Sequence, residues 1–364
     1  MKKIGIDARL YSQTGVGVYL QNLIYWLQKT APSDLIFNIY LMKKDFNQIT
    51  FSSKNFNKVQ ANYSWHGLGE QIGFAKRLFD DQLDLVHFTY FSYPILYKRK
   101  FVATIHDLTP LLFKTGKASS KNPMIYQAKY FFFKKILSSQ IRNAAAIITP
   151  TDTIKQQIIK YFGQEYQHEI SSIYEGISHY LLSATENLSL RKIFNTDFFI
   201  YVGNFYPHKN VERLIKAFNG IDDPVKLILI GPNDFFAKKL TQLINQLSLE
   251  KKIVFYHNPS YGDLIFFYKN AKALIHPSFA EGFGLPLVEA AYFGLPIIAS
   301  NIEVFQEILN NDYMTFDPYS IDDIKNKINL SFSREFRPHY QNVLSKYSFE
   351  KMTRETLKIY LKLI

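Results

Sequence analysis

The 364-residue chain has no cysteine. That removes disulfides, thiolate metal ligands and a cysteine nucleophile together, and it fits a reducing compartment. No apolar run approaches the length of a membrane span. The first residues, Met1-Lys-Lys-Ile-Gly-Ile-Asp-Ala-Arg9, reach an acidic side chain before any sustained apolar stretch and do not read as a secretory signal. Several chemistry-bearing patterns are also missing. There is no P-loop, no His-Glu-x-x-His and no Gly-x-Ser-x-Gly. No Asp-x-Asp occurs, so divalent-metal sites built on that pair have no counterpart.

What is present is enough apolar residue, 47% of the chain, for two cores rather than one. The formal charge of +12 is uneven. Residues 1–180 hold 22 Lys and Arg against 12 Asp and Glu, a balance of +10, whereas 181–364 hold 21 against 19, a balance of +2. Such a bias suits an anionic surface or acidic ligands. Without a recognisable nucleic-acid module, an anionic membrane surface is the expected partner of the first half, and nucleic acid is not. The segment Tyr126-Gln-Ala-Lys-Tyr-Phe-Phe-Phe-Lys-Lys-Ile-Leu137 mixes five aromatics with three lysines, as interfacial helices do. Its aromatics point around the whole helix, so a buried core helix with lysines at its edge is an equal reading.

Short apolar runs ending in small or polar residues alternate with longer helical patterns, which predicts βα units and parallel sheets in both halves. Strands are expected at Lys3–Ala8, Ile36–Met42, Leu83–Phe88, Phe101–His106 and Ala145–Thr149. In the second half they are expected at Phe198–Gly203, Lys226–Gly231, Ile253–Tyr256, Ala273–His276 and Pro296–Ser300. Ser178–Asn195 lacks a period and reads as the linker. A terminal helix is expected over 348–364, with Met352, Leu357, Ile359, Tyr360 and Leu361 as its apolar positions.

Four stretches could carry chemistry. In Glu281-Gly-Phe-Gly-Leu-Pro-Leu-Val-Glu289, two carboxylates eight positions apart flank a Gly-rich turn, and Pro286 starts a helix that reaches Phe293 and stops at Gly294. Free N–H groups at that start, with Gly282 and Gly284 allowing close approach, favour a bound anion. A first-turn dipole acid among ordinary turn glycines would look the same. In Thr14-Gly-Val-Gly-Val-Tyr19, Gly15 and Gly17 would let backbone N–H groups reach a phosphate, but the dinucleotide fingerprint is incomplete because Leu20 takes its third glycine position, and structural turn glycines are an equal reading. Thr104-Ile-His-Asp-Leu-Thr-Pro110 puts His106 and Asp107 at the carboxyl end of a strand, where open α/β sheets bind ligands. A neutral His106 could hydrogen-bond a sugar hydroxyl there, or could simply be satisfied by a neighbouring carbonyl, whereas His87 reads as structural. Last, Tyr201-Val-Gly-Asn-Phe-Tyr-Pro-His-Lys-Asn210 sets Lys209 just before a helix, where an ammonium could support a leaving diphosphate.

Taken in order, these stretches resemble the family 4 retaining glycosyltransferases of the GT-B fold, most of all bacterial mannosyltransferase-type members that build surface polysaccharides. The most specific likeness is the two-glutamate motif Glu281–Glu289. Asp7-Ala-Arg9 and the closing Tyr347-Ser-Phe-Glu-Lys add to it. The resemblance implies an α/β chain of two Rossmann-like domains whose parallel sheets face a cleft. Residues 1–180 would form an acceptor-side domain, rejoined by the helix 348–364, and 181–347 the nucleotide-sugar domain. It implies that Glu281 touches the donor sugar, that Gly282, Phe283, Gly284 and Leu285 line the donor, with backbone N–H groups of Phe283 and Gly284 offered to it, and that Glu289 holds the ribose. Lys209, with Asn204 nearby, would face the diphosphate, Gly15 and Gly17 the phosphates, and His106 the sugar near its reacting carbon.

No cofactor and no metal are implied. The donor would be a nucleotide sugar, with GDP-mannose the first choice, and the acceptor a glycan or lipid-linked glycan at the inner face of the plasma membrane. Three positions depart from common family forms: Asn204 stands where many members carry Arg, Glu175 where Asn is frequent, and Phe349 where Trp is frequent. A nucleotide-sugar epimerase and a non-catalytic glycan- or nucleotide-binding protein are the competing readings.

Overall fold

Wholly apolar runs such as Phe198-Phe-Ile-Tyr-Val202 become strands buried on both faces, the signature of parallel sheets covered by helices. The computed structural model describes residues 1–113, 123–167, 169–310, 312–333 and 339–364. The chain divides into one unit of Met1–Glu175 with Ser348–Ile364 and a second of Gly176–Tyr347.

The strands of the first unit are β1 Lys2–Asp7, β2 Leu35–Leu41, β3 Phe56–Gln60, β4 Leu85–Phe88, β5 Phe101–Thr104, β6 Ala146–Thr149 and β7 Ile170–Ser172. They form one sheet in the order β3-β2-β1-β4-β5-β6-β7. The second unit contributes β8 Phe198–Val202, β9 Lys226–Gly231, β10 Ile253–His257, β11 Leu274–His276, β12 Ile297–Ser300 and β13 Met314–Phe316. Their order is β10-β9-β8-β11-β12-β13. All pairings are parallel. Both sheets therefore run outward in two directions from a first strand, as doubly wound Rossmann sheets do. Each leaves a crevice at the carboxyl ends of the strands where the order reverses, between β1 and β4 and between β8 and β11.

The ten expected strands all form, and β3, β7 and β13 are additional. These three are sheet edges, and β7 and β13 have only three residues each, so they lack the apolar run that marks a strand covered on both sides. Residues 178–195 are not a loose linker. They hold a helical turn, His179–Leu182, and a 3₁₀ segment, Leu188–Lys192, both packed on the helix Tyr261–Asn270 of the second unit. Asn187 Nδ2 donates to Asp263 Oδ1 at 2.7 Å there.

The C-terminal helix Phe349–Leu363, capped by Ser348, packs on Val16–Thr30 in the first unit. Its buried stripe is Met352, Thr353, Thr356, Leu357 and Tyr360. Leu361 is exposed, contrary to expectation, and two threonines bury in its place. The helix Pro123–Asn143 meets the core reading of its aromatic segment on one face only. Phe133, Ile136 and Leu137 enter the core, while Phe131 and Phe132 stay 57% and 61% exposed. Lys135 sits 5.5 Å from the Phe131 ring centre. Among the described residues, no helix is long and apolar enough to cross a membrane.

Candidate functional site

In the second unit the loops leaving β8 and β11, the two strands that flank the crevice, bring Lys209 and Glu281 together. Lys209 ends a short 3₁₀ turn, Pro207–Lys209. Asn210 follows in the left-handed region, its side chain donating to the Pro277 and Pro318 carbonyls at 3.0 and 2.8 Å. That clamp fixes the Lys209 loop against the segment that leads to Glu281. The Lys209 ammonium reaches both Glu281 oxygens at 2.7 Å. Glu281 Oε1 also accepts from His276 Nε2 at 2.9 Å and from Ser278 Oγ at 2.7 Å. Oε1 is therefore saturated, while Oε2 takes only Lys209 and keeps acceptor capacity. Lys209 likewise has three N–H donors, two of them used.

Burial alone pushes the Glu281 carboxyl up, but the Lys209 charge and the His276 ring, with their hydrogen bonds, outweigh it and hold the group well below the usual carboxylate range. His276 closes β11, and its ring stacks on Tyr201 with centroids 5.6 Å apart. Sequence reasoning passed over His276 and Ser278. The signal for them was present, as a polar residue closing a buried strand and a hydroxyl three positions before Glu281.

Glu289 lies on the helix Leu285–Tyr292, whose start carries Pro286 and is preceded by Gly284 at φ 93°. A side chain at residue 284 would be strained by that φ, and its Cβ would meet Leu287 Cδ1 at 2.9 Å. Phe283 is buried, its ring set edge-on to Tyr347 at 5.5 Å, whereas Gly282 and Leu285 are partly exposed. Glu289 is buried and accepts from Tyr268 Oη at 2.6 Å. Burial pushes its carboxyl up to about 7, against the lowering effect of the Tyr268 hydrogen bond. The two glutamates of the motif thus sit in opposite electrostatic settings, one paired with a cation and one with a phenol. Asn204 Oδ1 accepts from the Tyr206 N–H at 3.3 Å.

In the first unit, Gly15 is exposed at the start of Val16–Thr30 with φ 68°. Gly17 is buried, and a Cβ there would lie 2.7 Å from the Tyr11 carbonyl, so its missing side chain serves the packing of the loop. Asp7 and Arg9 form a buried cluster with Glu70: Arg9 Nη2 lies 2.7 Å from each carboxylate, and its guanidinium covers the Phe74 ring at 4.2 Å.

His106 lies just beyond β5, and both of its ring nitrogens have partners. Nδ1 is 3.2 Å from Glu175 Oε1, and Nε2 is 3.1 Å from the Thr89 carbonyl. Tyr19 meets the ring edge-on at 4.8 Å. His87 sits beneath, bonded to Thr104 Oγ1 at 2.7 Å and to Tyr360 Oη at 2.5 Å. Burial, with the His106 charge, lowers its pKa to about 3, so it is a neutral structural bridge.

Two doubly wound parallel sheets, each with polar groups gathered at the carboxyl ends of its central strands, are the α/β architecture of GT-B glycosyltransferases. Residues 14–179 match the model described as Glycosyltransferase Family 4, and residues 189–350 match Glycosyl transferases group 1. The two matches together span most of the chain, which belongs to this glycosyltransferase family. Sucrose-phosphate synthase from Thermosynechococcus elongatus is similar in fold, with a TM-score of 0.80 at 17% identity, covering 100% of this chain and 99% of that one. HepE from Anabaena, solved with UDP and glucose, has a TM-score of 0.75 at 16% identity, with 100% of both chains covered.

In sequence, the O-antigen chain mannosyltransferase RfbU of Salmonella typhimurium is 29% identical over 262 residues, 70% of this chain and 71% of that protein. The O-antigen chain mannosyltransferase B of Escherichia coli is 26% identical over 272 residues, 71% of this chain and 69% of that one. The protein is a glycosyltransferase with O-antigen mannosyltransferases among its relatives.

Proposed function

We propose that the protein transfers mannose from GDP-mannose, with retention and without a metal, to a hydroxyl of a glycan or lipid-linked glycan of the cell surface. The observation that carries this reading is the Lys209–Glu281 pair at the β8–β11 switch point, with Glu289 on the helix that follows. Glu281 Oε2 has the spare lone pairs for a sugar hydroxyl, and Lys209 has one N–H left for a diphosphate oxygen. As the glycosidic bond breaks, negative charge grows on the departing diphosphate, and a fixed ammonium stabilises that charge without reorganising. Glu289 accepts from the ribose, Gly15 and Asn204 serve the phosphates, and His106 contacts the sugar. The acceptor hydroxyl attacks on the face that the nucleotide leaves, its proton passing to the departing diphosphate, so the protein orients and compensates charge rather than supplying a nucleophile.

The mannosyltransferase names of the relatives support mannose over other hexoses. The basic first half and the exposed Phe131 and Phe132 support work at an anionic membrane surface, on its cytoplasmic face.

The test is transfer from GDP-mannose in folded variants. Lys209→Ala and Glu281→Ala each lower kcat by about 10²-fold or more, the scale of losing a preorganised electrostatic group. Full activity in both variants would overturn the assignment. Formation of an isomeric nucleotide sugar without any acceptor would replace it with an epimerase.

A further inference from the structure

The two acceptors that face the His106 ring call for one more proton than a neutral histidine can supply. The Thr89 carbonyl only accepts, so at 3.1 Å the His106 Nε2 must carry hydrogen. Glu175 Oε1 faces the other nitrogen at 3.2 Å. With a bare Nδ1 and an ionised carboxylate, two acceptors would confront each other in a buried site, where an unmade hydrogen bond is costly.

We propose that Glu175 and His106 hold a single proton on the Oε1–Nδ1 axis, and that Glu175 thereby acts as a positioning residue for sugar transfer. The proton sits on Nδ1, giving an imidazolium–carboxylate pair, or on Oε1, giving a carboxylic acid that donates to a neutral ring. Both forms have the same count of protons and the same net charge. The proposal rests on the transferase reading of His106, and it adds a partner and a proton to that residue.

The other groups facing the pair do not provide this proton. The Tyr19 ring touches the imidazole by its edge, and its hydroxyl is turned to Thr104 Oγ1 at 3.2 Å. The same Thr104 oxygen bonds His87, whose second nitrogen goes to Tyr360. Thr89 Oγ1 donates to the Asp7 carbonyl, and the neighbouring Asp107 accepts from the Thr109 N–H at 2.7 Å. Glu175 is thus the carboxylate that pairs with the ring. It comes from the loop after β7, 69 residues away in sequence, so it fixes the imidazole from a separate element. When the proton is lost, the facing acceptors repel and the ring loses its orientation. An amide at residue 175 would donate N–H to a neutral Nδ1 and would have no proton to lose.

Two measurements test this. Nitrogen-15 spectra of ring-labelled protein, with His106 assigned by its substitution, should show Nδ1 sharing a proton in the wild type at neutral pH, and a neutral Nε2–H ring in Glu175→Gln. A wild-type Nδ1 that neither carries a proton nor accepts a hydrogen bond would overturn the proposal whether or not the protein transfers sugar. The second measurement is the pH profile of transfer. Wild-type kcat should fall on the alkaline side by about tenfold per pH unit, as loss of one essential proton requires. Glu175→Ala should lower kcat by about tenfold at neutral pH while the donor KM changes less than about twofold, and Glu175→Gln should recover most of that loss without the alkaline limb. Identical pH profiles in the wild type and Glu175→Gln would refute the shared proton. If no transfer is found in any form, the transferase reading fails and the spectra still decide the pairing.

Discussion

Replacing Glu289 by Gln should make the donor-free protein more stable, by an amount that depends on pH. Burial raises this carboxyl from an ordinary 4.5 to about 7, so the folded state binds its proton more tightly than the unfolded chain does. The stabilisation from that tighter binding is complete below about 4.5 and is lost as pH rises through about 7. The full difference corresponds to about 3 kcal/mol. Gln has nearly the shape of the protonated acid and still accepts from Tyr268, but it never ionises. The variant should therefore match the wild type within about 1 kcal/mol at pH 4.5, exceed it by about 2 kcal/mol at pH 6, and exceed it by about 3 kcal/mol at pH 8.

Denaturant unfolding followed by far-UV circular dichroism measures this gap. Fluorescence of Trp26 and Trp65, both in the Met1–Glu175 unit, tracks the other unit alongside. A gap that stays flat with pH would refute the reasoning, because it would mean that Glu289 is as well solvated as an ordinary glutamate. If Glu289 holds the ribose as proposed, the more stable variant should bind donor poorly, a direct exchange of stability for function.

The His87 bridge has the opposite sign. Its pKa near 3 means that its contribution is complete above about 6.5 and is lost as pH falls, by about 2 kcal/mol already at pH 5, and Trp fluorescence should show less acid loss in His87→Gln than in the wild type. Thermal shift against nucleotide sugars should rank GDP-mannose first, since a ligand at a hundred times its Kd adds about 2.7 kcal/mol, and a larger shift with another donor would reject mannose. Anionic vesicles should float the protein at low salt, with Phe131→Ser combined with Phe132→Ser weakening the binding. Failure of the wild type to float would dismiss the membrane surface.

Much of this was legible from local signals. Gly284, Pro286 and Gly294 marked the helix that carries Glu289, and the buried apolar runs marked the central strands. The edge strands were harder, because β3, β7 and β13 are flanked on one side only and need few apolar residues. The partners of the site were harder still. That Lys209 meets Glu281 follows from β8 lying beside β11, and that adjacency is a property of strand order rather than of any local pattern. The His106–Glu175 contact joins the loops after β5 and β7, which β6 separates, and the bond from His87 to Tyr360 joins a strand to the terminal helix, so neither has a local pattern. Each was visible as a residue but not as a pair.

That last bond also bears on how the protein is born. His87 and Tyr360 are 273 residues apart, and the whole Gly176–Tyr347 unit is encoded between them. At about 5–20 residues per second, a ribosome needs on the order of tens of seconds to travel from one to the other. The second unit is a continuous stretch that can close as it emerges. The sheet that carries His87 must wait through that interval with its place for Tyr360 unfilled, and nascent chains stalled within it should be the ones chaperones hold.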